Sequence, residues 1–271
     1  MSTVSAPAAP PEADLERRFG ALRRLYGDAG YAHLRTLRVA VVGLGGVGSW
    51  AAEALVRSGV AGVVLIDFDH IAESNINRQV QALGSTVGQA KGEALRARFA
   101  DIHPGCAVQV VDDFATADNW PAILPVPVDA VIDACDQVQA KRTLAAWALQ
   151  TSTPFVSVGA AGGKRQAQKV DADDLALATH DPLLAALRQR LRKEHGAPRS
   201  GPIGLRCVFS RESVVQPPDD GCAIDGSLNC HGYGSSVMVT ATFGMVAAAQ
   251  AVDAALGLAA PPDRPVADAR I

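Results

Sequence analysis

LRVAVVGLGGVGSW, residues 37–50, decides the fold. Leu37 to Gly43 is a β-branched run, apolar on both faces, that ends in Gly. Such a run suits a central parallel strand covered by helices on both sides. Gly43, Gly45, Gly46 and Gly48 follow as G-x-G-G-x-G. A helix is expected from about Gly46 to Ser58, with Val47, Ala51, Ala54, Leu55 and Ser58 on one face and Gly59 ending it. Glycine at a strand–helix junction permits a tight turn. It also lets phosphate oxygens approach backbone N–H groups at the positive end of the helix. The pattern alone does not separate NAD, flavin and adenine nucleotides.

Outward from this stretch the alternation continues. Gly62 to Asp67 reads as a second strand, Gln89 to Ile102 as a helix, and Ala107 to Val111 and Asp129 to Asp133 as strands. Val138 to Gln150 reads as a helix and Pro154 to Val158 as a strand. Repeated strand–helix units predict an α/β fold: a doubly wound, mostly parallel, Rossmann-like sheet over residues 37–158. Gly159 to Gly163 is a flexible punctuation, after which an α+β extension is expected over 159–258. There Gln166 to Val170, Leu205 to Ser210 and Ser213 to Val215 are strand candidates. Asp181 caps a helix that begins at Pro182 and runs to about His195. Pro217 to Gly234 reads as a turn-rich loop. The domain reading is a lead-in over 1–14, a single domain over 15–258, and a flexible tail over 259–271.

Composition narrows the class. The chain has 271 residues, 48% of them hydrophobic and 20% charged, with 25 Gly and 16 Pro, which excludes a disordered or collagenous chain. With 25 basic and 28 acidic side chains the net charge is −3, so no basic field dominates; a local basic patch stays open. The 5 Cys are odd in number and widely spaced, which points to a reducing compartment and a cytoplasmic location. No two stand as C-x-x-C, so no structural zinc site is expected. The N-terminal Ala/Pro-rich stretch lacks the basic flank and apolar run of a secretory signal. Ser235 to Leu258 is long enough to cross a bilayer, but its small residues with Gln250 and Asp253 favour a buried helix over membrane association.

The residues after the second strand separate the nucleotide classes. Asp67 closes that strand, where a carboxylate can accept hydrogen bonds from ribose hydroxyls, and Asp69 follows. Ser74-Asn75-Ile76-Asn77-Arg78-Gln79 then supplies Asn and Arg, and Lys91 follows. A dehydrogenase needs no cation cluster here, whereas substitution at a triphosphate does, because phosphoryl oxygens gain charge. Arg78 offers a bidentate fork and Lys91 a point charge. Asp136, at the end of the strand VIDACD, falls at the carboxyl edge where open sheets bind ligands, and could hold a magnesium ion bridging phosphates.

These stretches resemble a known family. VVGLGGVGSWAAEALVRSGV, LIDFDHIAESNINRQ, VGQAKGEAL and VIDACDQVQAK are similar to the ubiquitin-activating-enzyme-like, ThiF-type adenylyltransferase superfamily. RRFGALRRLYG, VVDDFAT, DPLLAALRQRLRK, CVFS and MVTATFGMVAAA resemble its tRNA threonylcarbamoyladenosine dehydratase branch. The resemblance spans roughly residues 15–258 and implies ATP-dependent adenylation of a carboxylate on a modified adenosine of tRNA, then ring closure. It implies that Gly46 contacts phosphates and Asp67 the ribose, and that Asn75, Asn77 and Arg78 line the phosphate region. Lys91 would neutralise charge there, and Asp136, with Gln137 beside it, would hold magnesium; relatives often carry Asn or Ser at the Gln137 position. An N-terminal Arg, either Arg18 or Arg24, would be lent by a partner in a homodimer, and Arg24 is the one assigned to the site.

Cys230, in LNCHGYG beside His231, is the candidate for any thioester chemistry. Basic side chains at Arg188, Arg190, Arg192, Lys193, Lys164, Arg165, Arg199 and Arg206 are candidates for RNA backbone contact. Three other readings stand beside the dehydratase. One is adenylation of a small ubiquitin-like sulfur-carrier protein, another a scaffold for cysteine desulfurase or sulfur-acceptor proteins, and the third hydride transfer.

Overall fold

The computed structural model describes residues 13–215 and 233–258. Two short N-terminal helices, α1 (Leu15–Phe19) and α2 (Arg23–Leu34), precede strand β1 (Arg38–Val42). Then come α3 (Gly48–Arg57), β2 (Gly62–Ile66), α4 (Lys91–Ile102), β3 (Ala107–Val111), β4 (Ala130–Asp133), α5 (Val138–Thr151) and β5 (Phe155–Val158). The remainder is β6 (Val170–Asp174), α6 (Pro182–Glu194), β7 (Arg206–Ser210) and α7 (Val237–Ala255).

The strands form one seven-stranded sheet in the order β3-β2-β1-β4-β5-β7-β6. All neighbours are parallel except β6 and β7. Residues of β2, β4 and β5 are buried throughout, as expected for strands covered on both faces. Val39 and Val41 face α3, α4 and α7 with Leu55, Phe99 and Phe243. Ala40 and Val42 face α5 and α6 with Leu144, Leu187 and Leu191. The sheet order reverses between β1 and β4. A crevice therefore opens at their carboxyl ends, where open α/β sheets take ligands.

The central elements lie within two residues of their sequence-based bounds, and Asp181 caps α6 by accepting from the Leu184 N–H. The edge differs. Residues 167–169 form a 3-10 turn, and the strand is Val170–Asp174, four residues later than expected. VDADD pairs on one side only and stays half-buried, so it carries no apolar run to read. Ser213 to Val215 is not a strand. Instead Glu212 accepts from the N–H groups of Arg165 and Gln166, and the Val215 N–H donates to Gly163, which ties the segment irregularly. The helix expected from Gln89 begins at Lys91, because residues 88–91 bond to the segment after β2: the N–H of Ile71 donates to Gln89 O, and that of Lys91 to Asp69 O.

Helix α7 is long and apolar enough to cross a membrane by length and composition, yet Val239, Phe243, Ala247, Ala251 and Val252 are buried against the sheet and α3. Its small residues allow a close crossing. A Cβ on Gly244 would lie 2.5 Å from the Val47 carbonyl oxygen and 2.8 Å from the Ala51 nitrogen.

Candidate functional site

A cavity of about 830 Å³ occupies the crevice between β1 and β4. Gly43, Gly45 and Gly46 form one wall. Gly43 has φ +89°, a region that favours glycine, and a Cβ there would meet the Ala134 carbonyl oxygen at 2.8 Å. Nothing lies within 4 Å of a Cβ placed on Gly45, so its freedom serves whatever enters the cavity. Gly48 does not line the cavity. A Cβ there would sit 1.8 Å from Gly43 O, so this glycine lets α3 begin hard against the turn.

The end of β2 supplies the acidic side. Asp67 accepts from the Leu44 N–H through Oδ2 and from the Asp69 N–H through Oδ1 at 2.8 Å. Burial pushes its carboxyl above the usual carboxylate range, opposed by Lys91 and these two N–H groups. The Lys91 ammonium is itself buried and donates to Asp69 Oδ2 at 2.7 Å, with Asp67 Oδ1 at 3.7 Å. The bond from Lys91 N to Asp69 O places that side chain at the first turn of α4.

Arg78 lines the same cavity. Its Nη1 donates to Ser74 O at 2.6 Å and Asn77 Oδ1 at 2.9 Å, and its carbonyl accepts from Trp50 Nε1 at 2.9 Å. Asn75 lines the cavity while its Oδ1 caps the turn at the Ala72 N–H. Asn77, expected in the phosphate region, instead lies behind it. It orients Arg78 and donates from Nδ2 to Ser235 O at 3.1 Å. Asp136 and Gln137, both exposed, stand on the opposite wall where β4 leads into α5.

Several basic residues expected elsewhere are tied down within the chain. Arg18 Nη1 donates to the carbonyls of Asp101 and Ile102 at the C-terminus of α4, a cap that occupies it in its own chain. Arg24 is exposed on α2. Lys164 is buried and donates to the carbonyls of His180, Ser210 and Glu212, so it is not a surface contact for RNA. Arg188 bonds to the carbonyls of Leu175 and Ala178, Arg206 to Gln250, and Arg192 to the Pro198 carbonyl. Lys193 and Arg199 are exposed, and Arg165 and Arg190 are not buried. Cys230 and His231 lie outside the described residues. Among the described cysteines, burial pushes the thiols of Cys135 and Cys207 well above their usual range.

Other wall residues had weaker signals. Gly159 to Gly162, which looked like punctuation, line the cavity. Phe114, in the segment after β3, does so too, its ring centroid 5.3 Å from that of Phe68. Thr240 of α7 also contributes; its buried hydroxyl has no hydrogen-bond partner among the described residues. A polar residue inside an apolar helix is the one sequence sign of that position.

Chemically, the cavity offers backbone N–H groups beside a helix start, three cationic side chains in Arg78, Lys91 and Arg142, the carboxylates of Asp67 and Asp69 beside Lys91, and those of Asp113 and Asp136 elsewhere on its wall. That set suits a nucleoside polyphosphate undergoing substitution. The comparisons agree. Residues 18–267 match the model of the ThiF family. A tRNA threonylcarbamoyladenosine dehydratase from Escherichia coli is 42% identical over 90% of this chain and 95% of its own. One from Haemophilus influenzae is 38% identical over 88% and 93%. The crystal structure of the E. coli dehydratase in complex with ATP superposes with a TM-score of 0.81 at 40% identity, covering 90% of this chain and 96% of that one.

Proposed function

This chain belongs to the ThiF family, and from that premise we propose that it catalyses the ATP-dependent cyclodehydration of threonylcarbamoyladenosine in tRNA. The observation that carries this reading is the convergence of the glycine turn, Asp67, Arg78, Lys91 and Asp136 on one cavity at the switch point of the sheet.

The polyphosphate lies along the glycine turn and the start of α3, with the ribose on Asp67. A carboxylate oxygen of the threonyl group attacks the α-phosphorus. The bond to the bridging oxygen breaks and pyrophosphate leaves. Arg78 and Lys91 take up the charge that grows on the phosphoryl oxygens. An internal nitrogen of the modification then attacks the acyl carbon, the bond to AMP breaks, and the nitrogen gives up its proton. The ring closes, and one carboxylate oxygen departs on AMP. The second step is intramolecular, so holding the two ends together supplies much of its rate.

Asp136 is an exposed carboxylate on the cavity wall, a hard oxygen ligand of the kind that would hold Mg2+ together with phosphate oxygens and water. The ion would neutralise charge between phosphate oxygens. Arg24, exposed on α2, is the group offered across a homodimer to the second cavity. We assign the reaction to the cytoplasm, a reducing compartment that suits the odd number of widely spaced cysteines. The test is to incubate the protein with ATP and tRNA bearing threonylcarbamoyladenosine and weigh the digested nucleosides. The expected product has lost one water; an unaltered nucleoside, with ATP consumed only when a carrier protein ending in Gly-Gly is supplied, overturns the proposal.

A further inference from the structure

Beneath the cavity lies a fully buried ion pair. Lys141, Asp133 and Ser157 are each 0% exposed, and none lines the cavity. Lys141 Nζ, from the first turn of α5, donates to Asp133 Oδ2 at 3.0 Å, Asp133 O at 3.3 Å and Ser157 Oγ at 3.4 Å. Ser157 Oγ donates to Asp133 Oδ2 at 2.7 Å, across the register that pairs β4 with β5. The remaining carboxylate oxygen, Oδ1, accepts from the Cys135 N–H at 3.1 Å.

Stability alone explains this pair poorly. Desolvating two charges costs as much as their attraction returns, and apolar replacements of buried pairs are often neutral or stabilising. Its location is more informative. Asp133 ends β4, and the turn that follows carries Asp136 and Gln137 into the cavity. One side of that turn is held by the Cys135 N–H on Asp133. Its other side abuts the glycine turn, where the Ala134 N–H donates to Val42 O at 2.8 Å. Three rigid elements, β4, β5 and α5, thus meet at one ammonium that fixes the backbone under Asp136.

We propose that Lys141 is a positioning residue for adenylation: through Asp133 it sets the Ala134–Gln137 turn so that Asp136 faces the phosphate region. This rests on the reading of the cavity given above. The experiment compares Lys141→Met, Ser157→Ala, Asp136→Ala and the double variants of Asp136→Ala with each of the first two. ATP–pyrophosphate exchange with modified tRNA is measured well below each melting temperature, with ATP affinity by calorimetry and amide hydrogen exchange at Cys135. Lys141→Met is expected to bind ATP within threefold of the parent, exchange the Cys135 amide faster and lose at least tenfold in exchange turnover. In the Asp136→Ala background the same substitution costs less than twofold, because both act through one turn. Ser157→Ala keeps the ion pair and is expected to lose about threefold, again only when Asp136 is present. If Lys141→Met does not fold, Ser157→Ala decides by the same criterion. Multiplicative losses, or parent-like turnover of the folded variants, overturn the positioning role. Unaltered turnover of Asp136→Ala overturns both the role given to Asp136 and the proposal, and failure of the parent to bind ATP overturns the reading of the cavity itself.

Discussion

Gly45 and Gly48 share one turn but serve different purposes, and alanine separates them. At Gly48 a Cβ lies 1.8 Å from Gly43 O, so reaching the 3.0 Å that real Cβ atoms keep moves the turn or the helix by about 1.2 Å. Overpacking on this scale costs up to about 3 kcal/mol. The gain in helix propensity returns about 1 kcal/mol. A net loss of about 2 kcal/mol lowers the melting temperature by about 4–8 °C in a chain of this size. At Gly45 nothing lies within 4 Å, so Gly45→Ala stays within about 0.5 kcal/mol of the parent. Its methyl group instead takes the space that phosphate oxygens need, and ATP affinity falls at least tenfold, about 1.4 kcal/mol. Thermal melts with and without ATP, with calorimetry on both variants, read the two effects separately. Parent-like ATP affinity in Gly45→Ala refutes the phosphate cradle; a parent-like melt of Gly48→Ala refutes the packing role.

Arg78→Ala and Lys91→Ala are each expected to lower turnover by about 100-fold or more, measured as AMP release; in thermal melts Arg78→Ala stays near the parent, whereas Lys91→Ala also melts lower because Asp67 is left buried without its cation. Burial raises the Asp67 carboxyl, so ATP affinity falls on acidification at a pH above the ordinary carboxylate value of about 3.9. Asp67→Asn removes that acid limb in calorimetric titrations. Glu53, buried between Arg98 and Arg57, is pushed up by burial but held below its usual range overall by the two guanidinium groups. Its contribution is complete above the unfolded pKa of about 4.3 and is lost as pH falls through the lowered folded value. Glu53→Gln therefore costs about 1–2 kcal/mol at pH 7, discounted for the exposed arginines, and the difference from the parent vanishes in acid denaturation.

What could be read from the chain follows from where its signals are local. Central strands such as Val63 to Ile66 are buried on both faces, so their composition alone marks them. Arg78 and Lys91 flank a strand–helix junction, and the fold brings both to the cavity. Legibility fails where a side chain answers to a distant partner. Arg18 looked free to serve a second copy, but its acceptors lie 83 and 84 residues away at the end of α4. Lys164 and Arg188 looked like surface charge for the same reason. Asn77 sits one residue from a cavity residue yet supports it from behind. Lys141 resembled any helix lysine until β4 and β5 surrounded it.

On the proposed mechanism, this cavity makes a carboxyl group reactive by joining it to AMP. Modified tRNA whose threonyl carboxylate carries heavy oxygen tests it directly, with the AMP released from ATP weighed after one turnover. One heavy oxygen in AMP is the expected result. Heavy oxygen recovered in inorganic phosphate, with ADP as the nucleotide product, contradicts it.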